Sequence, residues 1–218
     1  MKLPDLNGIR IGQALTPVRI EEVRRLRAET YVDHGFLSPE EAGSVEHDKY
    51  DADALYFGAL RGDHLVGGSR LVPRGPRGLF LLENFELNRQ GHELVDSVGA
   101  DLAEVSGLAV ARGAGDRFGI SAGLYRAMLH FSLTDLGVVH WVAVVDPALH
   151  RILARLLNIV VVEIGEPHEL GHRHRRPVHI DLLRTIGHLR SHHPAEHAFF
   201  MGGLKLDLTL SEPTMMPL

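Results

Sequence analysis

Two stretches of this sequence carry residue types and spacings able to do chemistry. The first runs from an apolar segment, Asp101–Val110, through the loop Arg112–Gly119 with its three glycines, into a periodic segment from Ile120. Read as strand, loop and helix, this unit places backbone N–H groups at a helix N-terminus. Unsatisfied donors and the helix dipole attract phosphate there, and glycines let the backbone approach a ligand closely. The loop is not a Gly-x-Gly-x-x-Gly dinucleotide pattern, and no Lys-Ser/Thr follows to make a Walker loop. Inside the apolar segment, Glu104 is a carboxylate that can take a proton directly or through water. Ser106 follows it, with no triad partner in motif form.

The second stretch is rich in histidine. Eight of the 15 histidines fall between His168 and His197: His168, His172, His174, His179, His188, His192, His193 and His197. A His-x-x-x-His-x-His spacing can bind a metal if the rings converge. No thiolate and no His-Glu-x-x-His is present, and Arg173, Arg175 and Arg176 would repel a cation. No metal site is therefore expected, but a partly basic surface that gains charge below about pH 6.5.

The composition narrows the classes. The chain has 218 residues, 23 basic and 28 acidic, for a net charge of −5. It is 44% hydrophobic and 23% charged, ordinary globular values for one domain with a real core. The absence of cysteine excludes a disulfide framework, a thiolate metal site and an acyl-cysteine intermediate. Apolar runs such as Ile159–Val162 are too short to span a membrane. Met1–Asn7 has no signal-peptide pattern, so a cytoplasmic location is expected. The mild acidity argues against a nucleic-acid partner.

Elements must position these groups. Thr16-Pro17 signals a helix start, and Ile20, Val23, Leu26 and Tyr31 give Ile20–Tyr31 one apolar side. Asp33–Asp53 reads as a long loop, with Ser38-Pro39-Glu40-Glu41 opening one helical turn. Ala54–Leu60 and His64–Val72 form a hairpin around Arg61-Gly62-Asp63, and Leu79–Leu82 reads as a third strand. Further on, Ile120–Leu136 and Ala148–Leu157 read as helices, with strands at Val138–Val145, Asn158–Ile164 and Val178–Leu183 and a short helix at Thr185–Ser191. The order predicts a single α/β domain, a sandwich around one mixed, mostly antiparallel sheet flanked by helices. Its core should span residues 16–185, with a tail over 186–218.

Two sets of motifs carry a resemblance. Asp116-Arg117-Phe118-Gly119-Ile120-Ser121 resembles motif A of the GNAT acyltransferases, Gln/Arg-x-x-Gly-x-Gly/Ala, with Asp116 in place of Gln/Arg and Ser121 in place of the small residue. Four more motifs occur in order: Arg27-x-x-x-Tyr31, Glu46-x-Asp48-x-Tyr50-Asp51, Gly68-Ser69-Arg70-Leu71-Val72-Pro73 and Glu104-Val105-Ser106. Together they resemble the N-acyl amino acid synthases and the related acyl-homoserine-lactone synthases, in which the last motif continues with Arg where this chain has Gly107.

The resemblance implies a GNAT-like fold with splayed central strands and a transfer of a fatty acyl group to an amine. It implies Glu104 as the base, with Ser106 as the second catalytic residue. Backbone N–H groups near Gly107–Val110 would stabilise the oxyanion, one good donor being worth roughly 3 kcal/mol of barrier. Leu108, Val110, Arg112, Arg117, Phe118, Gly119, Ile120 and Ser121 are expected to hold the donor's phosphopantetheine. Arg27, Tyr31, Asp48, Asp51 and Arg70 are expected to form a network that orders an acceptor lid. Trp141, Val142, Val144 and Leu153, with Phe118, Leu124 and Tyr125, are expected to line an acyl tunnel. No cofactor should be tightly bound, an acyl thioester being the co-substrate. The expected partners are an amino acid acceptor and an acidic acyl carrier protein, docking on Arg24, Arg25, Arg112, Arg117, Arg151 and Arg155. The alternatives are an acyl-homoserine-lactone synthase using S-adenosylmethionine, a coenzyme A acetyltransferase for a small amine, and an inactive acyl-binding sensor.

Overall fold

The computed structural model describes residues 6, 8–43, 47–170, 173–202 and 209–210. Its strands are β1 (Ile9–Ala14), β2 (Leu55–Arg61), β3 (His64–Pro73), β4 (Leu102–Val110), β5 (His140–Val145), β6 (Val161–Glu163), β7 (His168–Leu170), β8 (Arg173–Asp181) and β9 (Thr209–Leu210). The helices are α1 (Pro17–Asp33), α2 (Phe80–Asn84), α3 (Arg89–Val98), α4 (Arg117–Phe131), α5 (Pro147–Arg151), α6 (Leu182–His192) and α7 (Pro194–Met201). All nine strands join one sheet in the order β6-β8-β5-β4-β3-β2-β1-β9, with β7 on β8. Among the described residues only β1–β9 and β4–β5 pair in parallel. This is the mixed α/β, mostly antiparallel GNAT-like architecture that the sequence predicts.

Local signals account for most elements. The Thr16 side chain accepts the Arg19 N–H, and Pro17 sits in the first turn of α1. The Ser38 hydroxyl and the Glu41 carboxylate each accept the other residue's N–H, at 3.3 and 2.8 Å. Asp116, Asp146 and Asp181 cap α4, α5 and α6. One face of the sheet packs on α4 through Ile120, Leu124 and Met128. The other carries a second cluster with Leu81, Val95, Leu102, Val142 and Ile164.

The structure corrects several boundaries. Leu79–Leu82 is not a strand: the Leu81 N–H donates to the Glu104 side chain at 2.9 Å, and the Phe85 N–H returns to the Leu81 carbonyl, closing a helical turn. Strand β1 and helix α3 carry no strong start signal beyond Asn88, whose side chain accepts the Gly91 N–H. Strand β8 starts earlier than Val178 and ends at Asp181. Ordered packing runs past residue 185, because Leu189 and Phe200 are buried in the main core.

The decisive feature is where the sheet opens. Strands β4 and β5 pair only at Leu102–His140, Ala103–Trp141 and Glu104–Val142. Both continue beyond this point, β4 held by β3 and β5 by β8. They part at Glu104.

Glycine at position 91 is required by contact. A Cβ there would collide with the Ile164 carbonyl oxygen, next to the Leu87–Gly165 bridge. Gly→Ala inside a helix ordinarily stabilises by about 1 kcal/mol. Gly91→Ala should instead destabilise by about 1–3 kcal/mol, read as a lower thermal unfolding midpoint. A raised midpoint would contradict this packing.

Candidate active site

A cavity of about 1160 Å³ opens where β4 and β5 part. That is slightly above the roughly 300–1,000 Å³ usual for a small-molecule site. Its walls come from β4, the C-terminal half of α1 with the loop after it, the first turns of α4, and α5.

Glu104 stands at the fork and lines the cavity. It is 2% exposed, and Oε2 accepts the Leu81 N–H. Burial pushes its carboxyl up to about 7, against the opposing pull of the Leu81 N–H and the Arg70 charge. A buried carboxyl poised near neutrality is suited to accept a proton from a bound amine.

Beyond Glu104 the β3–β4 ladder slips. Gly68 pairs with Ala109 and Arg70 with Ser106, so Ser69 faces both Gly107 and Leu108. This is a β-bulge, which re-aims side chains and backbone groups. Gly107 takes φ +66°, and a Cβ there would lie 2.9 Å from the Arg27 Cδ. Glycine is therefore the residue this bulge tolerates. Ser106, Gly107 and Leu108 all line the cavity.

The Ser106 hydroxyl accepts from the Arg70 Nε at 3.0 Å, and its carbonyl accepts from the Ser69 hydroxyl at 3.0 Å. Among the described residues no base is hydrogen-bonded to it.

The network around Asp51 is buried. Arg27 reaches both Asp51 oxygens at 3.4 Å, and Arg70 Nη1 and the Tyr56 hydroxyl both donate to Oδ1. Arg70 Nη2 lies 2.8 Å from Asp48 Oδ2. The turn Lys49–Ala52 is a capping box, in which Asp48 accepts the Tyr50 N–H and Asp51 accepts the Asp48 N–H. Burial alone would raise the Asp51 pKa, but the Tyr56 hydroxyl, Arg27 and Arg70 hold it below the usual range. Arg24 joins at 3.6 Å from Asp51 Oδ2, and its Nε donates to the Tyr56 hydroxyl. Arg24 is thus turned inward, away from the docking face expected of it. Tyr56 and Arg24 are members that the motifs did not reveal.

The other expected residues divide. Arg27, Tyr31, Asp48 and Arg70 line the cavity, as do Val110, Arg117, Phe118, Ser121, Tyr125 and Val144. Arg112 does not; it lies 2.9 Å from Asp33 on the surface. Gly119 gives its N–H to the Asp116 carboxylate at 2.8 Å, and Ile120 is core. Trp141 donates to the Ser132 hydroxyl at 2.9 Å, and Leu124 and Leu153 are fully buried in the main core. Val142 packs in the second cluster because it is level with Glu104, where the strands are still paired. Apolar walls come instead from Phe36, Leu37, Leu149 and Ile152. Phe36 has Arg175 over its ring, at 4.2 Å from the centroid. Nothing in the sequence singled out this pair.

Among the described residues no group of three or more His, Cys, Asp or Glu converges on a metal position. His172 lies outside them. His179 departs from the expected acid-titrating surface: burial, then the neighbouring His140, lowers it to about 4. Among the described residues no helix is long and apolar enough to cross a membrane.

The family model described as N-acyl amino acid synthase FeeM matches residues 22–172. No curated protein matches the chain. The structure of FeeM, an N-acyl amino acid synthase from uncultured soil microbes, is similar with a TM-score of 0.63 at 17% identity, over 83% of this chain and 94% of that one. The CoA-dependent acyl-homoserine lactone synthase BjaI, with SAM and isopentyl-CoA, gives 0.64 at 22% identity over 96% of each chain. A putative N-acetyltransferase from Lactobacillus plantarum gives 0.57 at 16% identity, over 81% of this chain and 99% of that one.

The raised Glu104 carboxyl makes stability depend on pH. With its pKa at about 7 when folded against an ordinary glutamate value of 4.5 when unfolded, the folded chain binds this proton more tightly. That contribution is complete below about pH 4.5 and is lost as pH rises through 7, about 3 kcal/mol in all. Denaturant titrations of wild type and Glu104→Gln across this window should show wild type losing stability relative to the variant. Parallel pH profiles would refute the raised carboxyl.

Proposed function

The chain belongs to the FeeM family of N-acyl amino acid synthases, and from that membership we propose that it moves a long fatty acyl group from an acyl carrier protein thioester to the amine of an amino acid. The enzyme is an acyltransferase. The observation that carries the mechanism is Glu104, buried at the fork of β4 and β5 and poised near neutrality.

The ammonium of the acceptor loses its proton to Glu104, directly or through one water. The free amine attacks the thioester carbonyl without an acyl-enzyme, since no cysteine is present and Ser106 is engaged by Arg70. Backbone N–H groups of the Gly107–Leu108 bulge are the candidates to hold the oxyanion. The intermediate then collapses: the C–S bond breaks, the attacking nitrogen sheds its second proton, and the leaving thiolate takes that proton up, directly or through water. No resident cofactor enters.

Three features support the finer reading. The cavity is large enough for a long chain together with an acceptor. The Asp116 carboxylate already takes the Gly119 N–H in the first turn of α4, putting a negative charge where a pyrophosphate would seek donors. That favours a carrier protein's single phosphodiester over free coenzyme A, with Arg117 at the cavity mouth as its cation. Exposed Arg25 on α1 and Arg151 on α5 suit an acidic partner, and a carrier-protein donor fits a cytoplasmic enzyme.

A second reading rests on the likeness to BjaI along nearly the whole chain. It takes S-adenosylmethionine as the acceptor, and release of methylthioadenosine would identify it.

Acyl-loaded carrier protein, acyl-CoA and a pool of amino acids, followed by mass spectrometry, test the proposal. N-acyl amino acids should form faster from the carrier-bound donor. At saturating donor, kcat/KM should rise with pH through about 7. Glu104→Gln should lower kcat by about 10²- to 10⁴-fold and remove that limb. No N-acyl product from folded protein with any donor would overturn it.

A further inference from the structure

Four arginines line the cavity: Arg27, Arg70, Arg117 and Arg175. Arg27 and Arg70 are tied to Asp48 and Asp51. Arg175 is different. It lines the same cavity, yet among the described residues no carboxylate lies within ion-pair distance of it. Its Nε is shut off from solvent and makes no hydrogen bond, and its guanidinium lies over the Phe36 ring. A ring against the face of a guanidinium consumes none of its donors, which all lie in the guanidinium plane. Arg175 therefore offers a fork to an anion that is not part of the protein.

Register places that fork relative to the base. Glu104 pairs with Val142, Val142 with His179, and Arg175 lies four residues before His179 on β8. Alternation puts Arg175 on the Glu104 face of the sheet. At about 3.3 Å per residue along the strand and roughly 4.8 Å between strands, the two Cα atoms are on the order of 16 Å apart. Both residues line the same cavity, so the space between them is open to a small zwitterion.

We propose that Arg175 is the acceptor's carboxylate anchor. It holds the carboxylate of a free amino acid as a bidentate partner, so that the amine faces Glu104 and the thioester. Phe36, on the loop after α1, fixes the guanidinium plane. This deepens the acyl-transfer reading and rests on it: the site would select amino acids over amines and amino-acid amides.

The test uses the full chain, an acyl-loaded carrier protein, and three acceptor sets: the amino acids, their carboxamides and the decarboxylated amines. Wild type should acylate amino acids at least tenfold more efficiently than either counterpart. Arg175→Met should raise KM for the amino acid tenfold or more with little change in kcat, and should leave the carboxamide unaffected. Arg175→Lys, which keeps the charge and loses the fork, should fall between and guards against a folding defect in the Met variant. Equal use of acids and amides by wild type, or an unchanged amino-acid KM in both variants, would overturn the anchor while acyl transfer stands. No acylation of any acceptor would overturn the acyl-transfer reading and this inference together.

Discussion

The site depends on one buried carboxylate. Asp51 sits in a short turn of the loop after α1, yet its partners come from three elements: Arg24 and Arg27 on α1, Tyr56 on β2 and Arg70 on β3. Removing a carboxylate from water is costly, and only several donors at once offset it. Here they do so well enough to hold Asp51 ionised. The consequence reaches the chemistry. With Arg70 engaged by Asp48, Asp51 and Ser106, its positive charge only partly offsets the burial of Glu104. An Arg70 paired directly with Glu104 would lower that carboxyl and leave a weaker base. The acids of the loop therefore anchor the loop and spare the base together.

The same network explains a glycine. In the related synthases the Glu-x-Ser motif continues with Arg, whereas this chain has Gly107. The Arg27 stem passes where a Cβ at 107 would stand, and the backbone there is left-handed. With Arg27 occupying that volume, a second arginine stem has no room. The substitution is thus consistent with an intact site, because the bulge that it permits brings the Gly107–Leu108 segment to the cavity wall.

What the sequence made legible follows from range. The α1 start, the β2–β3 hairpin and the loop before α4 depend on neighbours a few residues apart, and their caps and turns stand in the sequence. The Asp48–Asp51–Arg27–Arg70 set was legible as ordered motifs, though not its use of Arg24 and Tyr56, which depends on which way α1 turns against β2. The strand expected at Leu79–Leu82 fails because a side chain from a distant strand takes the Leu81 N–H, a long-range bond that periodicity cannot register. Trp141, Val142 and Leu153 look like tunnel lining by apolarity alone. Whether an apolar residue lines a cavity or fills a core depends on where two strands separate, and three paired residues set that point here.

That separation is the last link between fold and function. A parallel pair inside a mostly antiparallel sheet is held at its far end by nothing but its own ladder, and this ladder stops at Glu104. The sheet survives the opening because each strand keeps an antiparallel partner on its other side. The facing edges of β4 and β5 are then left with backbone donors and acceptors directed into a gap, the pattern that an extended, amide-bearing arm can complete. The arm that presents an acyl thioester has this chemistry. Had the pairing run on past Glu104, the gap would be closed. Had it stopped sooner, Glu104 would stand beyond the paired strands, more open to water, and its carboxyl would fall back toward its ordinary acidity. The length of one short ladder thus sets both the opening of the cavity and the acidity of Glu104.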